Sequence, residues 1–212
     1  MNKWGKYYIL VILATLFLLP LGVRSQTQPN SIIIEGHECV DLDLPSGTLW
    51  ATCNLGADSV GQRGSYFAWA ETNAKASFFQ NNCSTYRAKI EEYSRNSEYD
   101  AATVLWGAEW STPTIDQMTE LINNCTWSWV DDGDSKGYLV AGQNGNTIFL
   151  PAAGWFEEIV FGANQFGCYW TSTPHDFYTV SGYRLEFSDN SRSINRMARY
   201  NGLSIRPVTK SR

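Results

Sequence analysis

The sequence predicts an α+β domain, rich in β-strand, with two short helices and long loops. Three observations predict it. Short apolar runs alternate with Gly, Pro, Asn and Asp turns through most of the 212 residues, the pattern of strands in a compact sheet protein. Only two stretches, near 100–106 and 114–122, carry helix starts followed by helical spacing. Nine Trp, eleven Tyr and ten Phe against 17% charged residues supply a real core and exclude a disordered chain. The length suits one domain plus a processing segment.

Residues 1–25 read as that segment. Lys3 and Lys6 precede the apolar run "YYILVILATLFLLPLGV" (7–23), and "RSQ" opens a polar stretch. This is a secretory signal layout with cleavage near Ser25. Pro20 and Gly22 suit a cleavage region better than a membrane span, with a retained signal-anchor as the alternative. No membrane contact is expected once the leader is removed. A short segment, 26–37, then leads into the domain at 38–209. Export permits disulfides among Cys39, Cys53, Cys83, Cys125 and Cys168, and an odd count leaves at least one thiol unpaired. Cys53 with Cys125 is the pairing expected, although spacing alone does not fix connectivity.

Within the domain, "SIIIEGHECVDLDLPSGTLWATCNLGA" (31–57) reads as strand, turn, strand, and "GSYFAWAET" (64–72) as a bulky apolar patch. Residues 73–100 are polar and aperiodic, a long surface loop. Asp100 caps a helix through Trp106. Thr114 caps a second one, with Gln117 completing a capping box before Ile115, Met118, Leu121 and Ile122 repeat at helical spacing. Residues 127–154 read as hairpins turning at "DDGDSKG" and "NGN". "GCYWTST" (167–173), "SGYRLEFSDN" (181–190) and "GLSIRPV" (202–208) are the last strands. In "GYRLEFS" the alternation puts Tyr183, Leu185 and Phe187 on a buried face, and Arg184, Glu186 and Ser188 on the open one.

Charge is uneven. Ser181–Arg212 holds seven basic and two acidic residues, and the rest of the chain holds nine basic and nineteen acidic, for a total of −5. Such a tail attracts an anionic ligand or pairs with the body's carboxylates. Nucleic acid fits poorly, since the basic stretch is short and the body acidic. Arg206, between Ile205 and Pro207 in the last strand, is expected in a structural salt bridge.

Catalysis finds little support. His37 reads as surface in a polar turn, and His175 as a binding residue; neither stands beside a nucleophile. Glu91–Glu92, Asp131–Asp132 and Glu157–Glu158 are adjacent pairs in loops, unlike two carboxyls facing across a cleft. "DDGDSKG" lacks the spacing and distal Glu of an EF-hand and reads as an Asp/Gly turn. No zinc spacing occurs, and no cofactor or metal is expected. Trp50, Trp106, Trp110 and Trp170 read as core, while Trp127 and Trp129 share a strand face that could stand open to sugar or protein contacts.

In order along the chain, "VDLDLPSGTLWATCNLGA", "YFAWAET", "WGAEWSTPT" with "ELINNCTW", "GNTIFLPAAG", "CYWTST", "YRLEF" and "SIRPV" resemble the Fibrobacter succinogenes major paralogous domain, over roughly residues 38–209. The resemblance implies a C-type lectin-like fold: two short helices beside a twisted, mostly antiparallel sheet, N- and C-terminal strands together, and long loops on one face. It implies an exported or surface-displayed ligand-binding module, periplasmic, on the cell surface or secreted. Some relatives resemble the variable proteins of diversity-generating retroelements, whose closing "GxSxRPV" pattern is similar to Gly202–Val208, and "SDNSRSINRMARYNG" has the composition of their varied positions. The fold is shared with formylglycine-generating enzymes, but of their late cysteine pair only Cys168 has a counterpart. The Glu-Pro-Asn and Gln-Pro-Asp tripeptides of calcium-dependent lectins are absent.

The expected binding face comprises His175, Asp176, Phe177, Tyr178, Arg184, Glu186, Ser188, Asn190, Arg192, Asn195, Arg196, Arg199 and Tyr200. Tyr gives rigid contact area, Asn adaptable hydrogen bonds and Arg forked donors. The expected partner is a surface protein or a glycan, bound without chemistry. A structural or adhesin subunit of the envelope or of a surface appendage is the alternative, and a glycan-acting enzyme stands third.

Overall fold

The two-residue turn Glu35-Gly36, with φ of 47° and 84°, folds β1 (Ile32–Ile34) onto β2 (His37–Asp41) as a tight antiparallel hairpin. This is the first of the strands in the computed structural model, which describes residues 31–93 and 97–210. The leader expected at 1–25 and the start of the 26–37 segment lie outside the described residues. Among the described residues no helix is long and apolar enough to cross a membrane.

β3 (Thr48–Ala51) pairs with β2 on one side and with β12 (Val208–Lys210) on the other, so the sheet runs β1-β2-β3-β12. The two ends of the domain are thereby zipped together. β3 is buried along its whole length because its four residues lie between two partners and beneath two core clusters.

Both helices begin where local chemistry places them. The Asp100 side chain accepts from Ala102 N at 3.0 Å and starts α1 (Ala101–Trp106). Thr114 accepts from Gln117 N, and the Gln117 side chain accepts from Thr114 N, at the start of α2 (Ile115–Asn124). Met118 and Leu121 bury the inner face of α2.

β4 (Thr126–Asp131), β5 (Lys136–Ala141) and β6 (Thr147–Pro151) form an antiparallel meander, followed by the small pair β7 (Trp155–Phe156) and β8 (Val160–Phe161). β9 (Gly167–Pro174), β10 (Ser181–Ser188) and β11 (Ser191–Ala198) make the third sheet, with β10 central and β11 at the edge. The result is a sheet-rich, mostly antiparallel α+β fold with two helices among the described residues. The described part of 73–100 holds no strand, only a 3₁₀ turn at Gln80–Asn82. It is not wholly surface, because Phe78, Cys83, Thr85 and Tyr93 are buried.

β9 divides the core. Tyr169 belongs to a cluster with Trp50, Leu150, Leu185 and Phe187, while its neighbours Cys168 and Trp170 belong to one with Trp69, Leu203 and Ile205, as strand alternation requires. Trp50, Trp110 and Trp170 are buried as expected, whereas Trp106 is half-buried. Trp127 and Trp129 are not an open face: both pack edge-on against Tyr138 and Phe187.

Three expectations are corrected. Among the described residues Arg206 makes no salt bridge. Fully buried, it donates to the carbonyls of Ala51 (3.0 Å), Thr52 (2.9 Å) and Phe149 (2.8 Å) and to Asn54 Oδ1 (2.9 Å). A guanidinium carries five donors, enough to satisfy acceptors drawn from several parts of the fold at once. His37 is not a free surface residue but stacks on Trp106 with ring centroids 3.9 Å apart. Burial lowers its pKa more than nearby Glu35 raises it. The Cys53–Cys125 bridge is not formed. All five thiols are free, Cys125 at the end of α2 against the first core cluster and Cys53 beside Thr52 after β3.

Candidate ligand-binding site

The register of β10 with β11 sorts the expected site residues onto two faces. Directly opposed residues share a face. Arg184↔Asn195, Glu186↔Ser193 and Ser188↔Ser191 lie on one, and Tyr183↔Arg196, Leu185↔Ile194 and Phe187↔Arg192 on the other. Leu185 and Phe187 are buried as the alternation implies. The opposite row, however, is not an open one. Arg184 is only 9% exposed; Nη2 pairs with Glu186 Oε2 at 2.7 Å and Nη1 lies 2.8 Å from Cys168 Sγ. Opposite Arg184 and Glu186 on β9 stand Trp170 and Cys168, both buried in the second core cluster, so this face too meets protein at that point. Burial pushes the Cys168 thiol up to about 11, against the opposing pull of Arg184.

The residues that do gather in solvent are those of the β9–β10 connection and one end of the β10–β11 ladder. Here the β9–β10 pairing is irregular: Gly182 faces Pro174 and Arg184 faces Trp170. Such an irregularity re-aims the residue between. Tyr183 is that residue, and its ring stacks on His175 with centroids 4.8 Å apart. His175 Nδ1 accepts from the backbone N–H of both Phe177 and Tyr178 at 3.2 Å, which leaves the ring proton on Nε2. Its own N–H donates to Ser181 O. Tyr183 Oη donates to Asp176 Oδ2 at 3.2 Å. Tyr178 lies 5.1 Å from the His175 ring, and the Arg196 guanidinium sits 4.0 Å above the Tyr178 ring. Phe177 is 85% exposed and Tyr178 51%. Thr173 donates to Glu92, tying this end of β9 to the long loop.

The other expected residues are elsewhere. Arg199, 2% exposed, lies 3.9 Å over the Trp69 ring and donates to Ala88 O at 2.8 Å and to Thr85 O and Ser181 O at 3.4 Å. Desolvation lowers its pKa to about 10. Arg199 and Arg184 are therefore corrected from ligand contacts to interior supports. Arg192 stands 5.5 Å over Trp127. Ser188 bonds Asn190 and Ser191 in the β10–β11 turn, and Asn195 reaches Glu186 at 3.4 Å. Tyr200 lies against Tyr86 instead, centroids 5.6 Å apart.

Tyr183 is the member of the gathered cluster that sequence reading assigned to the core. Its position at the strand's start, before the fully buried Leu185, was the available hint. Chemically, the cluster offers stacking faces, a guanidinium and a carboxylate, with no nucleophile activated by a base. Among the described residues no group of three or more His, Cys, Asp or Glu is placed to hold a metal ion. Comparison with family models, with curated proteins and with solved structures gave no match.

Proposed function

We propose that the chain is an exported ligand-binding module of C-type lectin-like fold. It grips a surface protein or glycan, without chemistry, at the cluster of His175, Phe177, Tyr178, Tyr183 and Arg196. The leader-like residues 1–25 support export, and the union of β3 with β12 beside two short helices supports the fold. The observation that carries the binding reading is Phe177: a large apolar side chain, 85% exposed, on a loop whose neighbours are fixed by hydrogen bonds and ring stacking. Rigid exposed aromatics beside an arginine are the make-up of interaction hot spots, and they favour a protein over a glycan here. The scattered tail charges fit the same reading. Arg196 is held over an aromatic face, not over a carboxylate, and is available to a partner.

A benzophenone amino acid placed at Phe177, and separately at Leu105, tests this in the producing cells. Leu105 is exposed too but stands on α1. A discrete protein adduct from position 177 alone is expected. No adduct there, or the same adducts from both positions, refutes the reading.

A further inference from the structure

A second concave surface shares no residue with the His175 cluster. It is a groove of about 870 Å³ between the 79–88 segment, Glu157 and Tyr200, within the roughly 300–1,000 Å³ of small-ligand sites. We propose that this groove binds an uncharged oligosaccharide built of pyranose rings.

Its composition points there. Tyr86 and Tyr200 meet at 58°, so their rings form a corner, and Phe79 is an exposed ring at the rim. Pyranose rings carry a C–H face that packs on aromatic rings. Around these rings stand groups that pair with hydroxyls: the side-chain amides of Gln80 and Asn81 and the carboxylate of Glu157. Amides and carboxylates are planar forks that donate to or accept from neighbouring hydroxyls. One acid, Glu157, and one guanidinium, Arg87, line the groove, so its charge is balanced and favours a neutral ligand. The lining has a single carboxylate, whereas hydrolysis of a glycosidic bond needs two; the groove holds its ligand without cutting it.

The walls are pre-organised. The Asn82 side chain accepts from Phe79 N at 2.9 Å and donates to Ser77 O at 3.0 Å, closing the 3₁₀ turn that carries Gln80 and Asn81. Phe78 N donates to Glu157 O at 2.8 Å, joining the two walls. Buried Arg199 holds the carbonyls of Thr85 and Ala88 on either side of Tyr86. A wall fixed before binding loses little ordering entropy when the ligand arrives.

The test is a two-dimensional amide NMR titration of the purified protein with chitohexaose, mannohexaose, maltohexaose and xylohexaose. At least one should give saturable shifts at the amides of 79–88 and Tyr200, with a dissociation constant of about 1 mM or tighter. Tyr86→Ala should weaken that binding at least about tenfold and Glu157→Gln about threefold, while Phe177→Ala leaves it unchanged. If Tyr86→Ala does not fold, Glu157→Gln, at a half-buried position, and Asn81→Ala, at an exposed one, carry the same test. The proposal is overturned if no oligosaccharide saturates, if the shifts fall outside the groove, or if Phe177→Ala abolishes binding. The last result would assign the sugar to the His175 cluster.

Discussion

Arg196 and Arg199 lie three residues apart, and each holds its guanidinium over an aromatic ring at nearly the same height, 4.0 Å above Tyr178 and 3.9 Å above Trp69. One pair stands in solvent and the other is sealed inside. Among the described residues Arg196 makes no further side-chain hydrogen bond or ion pair, which leaves it open to a partner. Arg199 donates to three backbone carbonyls and ties the ends of β10 and β11 to the 85–88 segment. Identical side-chain chemistry therefore does two jobs, and burial decides which.

The sharpest way to probe the interior half of this contrast is Arg206, the most enclosed guanidinium. Arg206→Ala orphans three carbonyls and Asn54, and should cost about 4 kcal/mol in urea unfolding. Arg199→Ala should follow at about 3 kcal/mol, with faster amide exchange in 83–90; an unchanged exchange rate there would break the proposed tie.

A buried carboxylate extends the comparison to pH. Asp100 is pushed up from 3.8 to about 6 by burial, which outweighs the hydrogen bonds from Thr112 and Ala102. A carboxyl whose folded value exceeds its unfolded one stabilises the fold fully below pH 3.8, and that contribution is lost as pH rises through about 6. Asp100 should thus contribute a fall of about 3 kcal/mol across that window, visible as the difference between the stability–pH curves of wild type and Asp100→Asn. Curves of the same slope would contradict the buried assignment. At the exposed end the effects should be smallest. Phe177→Ala and Tyr178→Ala should each shift stability by less than about 0.5 kcal/mol, while Tyr178→Ala should also weaken the adduct expected from a benzophenone at position 177.

What the sequence revealed of this contrast follows sequence distance. The helix starts at Asp100 and Thr114 were legible because donor and acceptor lie two or three residues apart. The buried face of Leu185 and Phe187 was legible from alternation alone. Arg199 and Arg206 were not, since their acceptors are mostly distant: Ala88 is 111 positions from Arg199, and Ala51 is 155 from Arg206. Nothing local distinguishes an arginine that will meet carbonyls from one that will meet water. Arg184 was misplaced because alternation shows which face is apolar but not whether the other face is covered. The stack of Tyr183 on His175 depends on an irregular β9–β10 ladder that has no local signature. His175–Tyr178 and Arg196 were singled out from residue type, and the fold brings them together.

Urea unfolding of the triple variant Phe177→Ala/Tyr178→Ala/Arg196→Ala, beside Arg199→Ala, tests the central claim most directly. The triple variant should lose less than about 1 kcal/mol and Arg199→Ala about 3 kcal/mol. A triple variant as unstable as Arg199→Ala would mean that the His175 cluster holds the fold together and is not a surface kept free for a ligand.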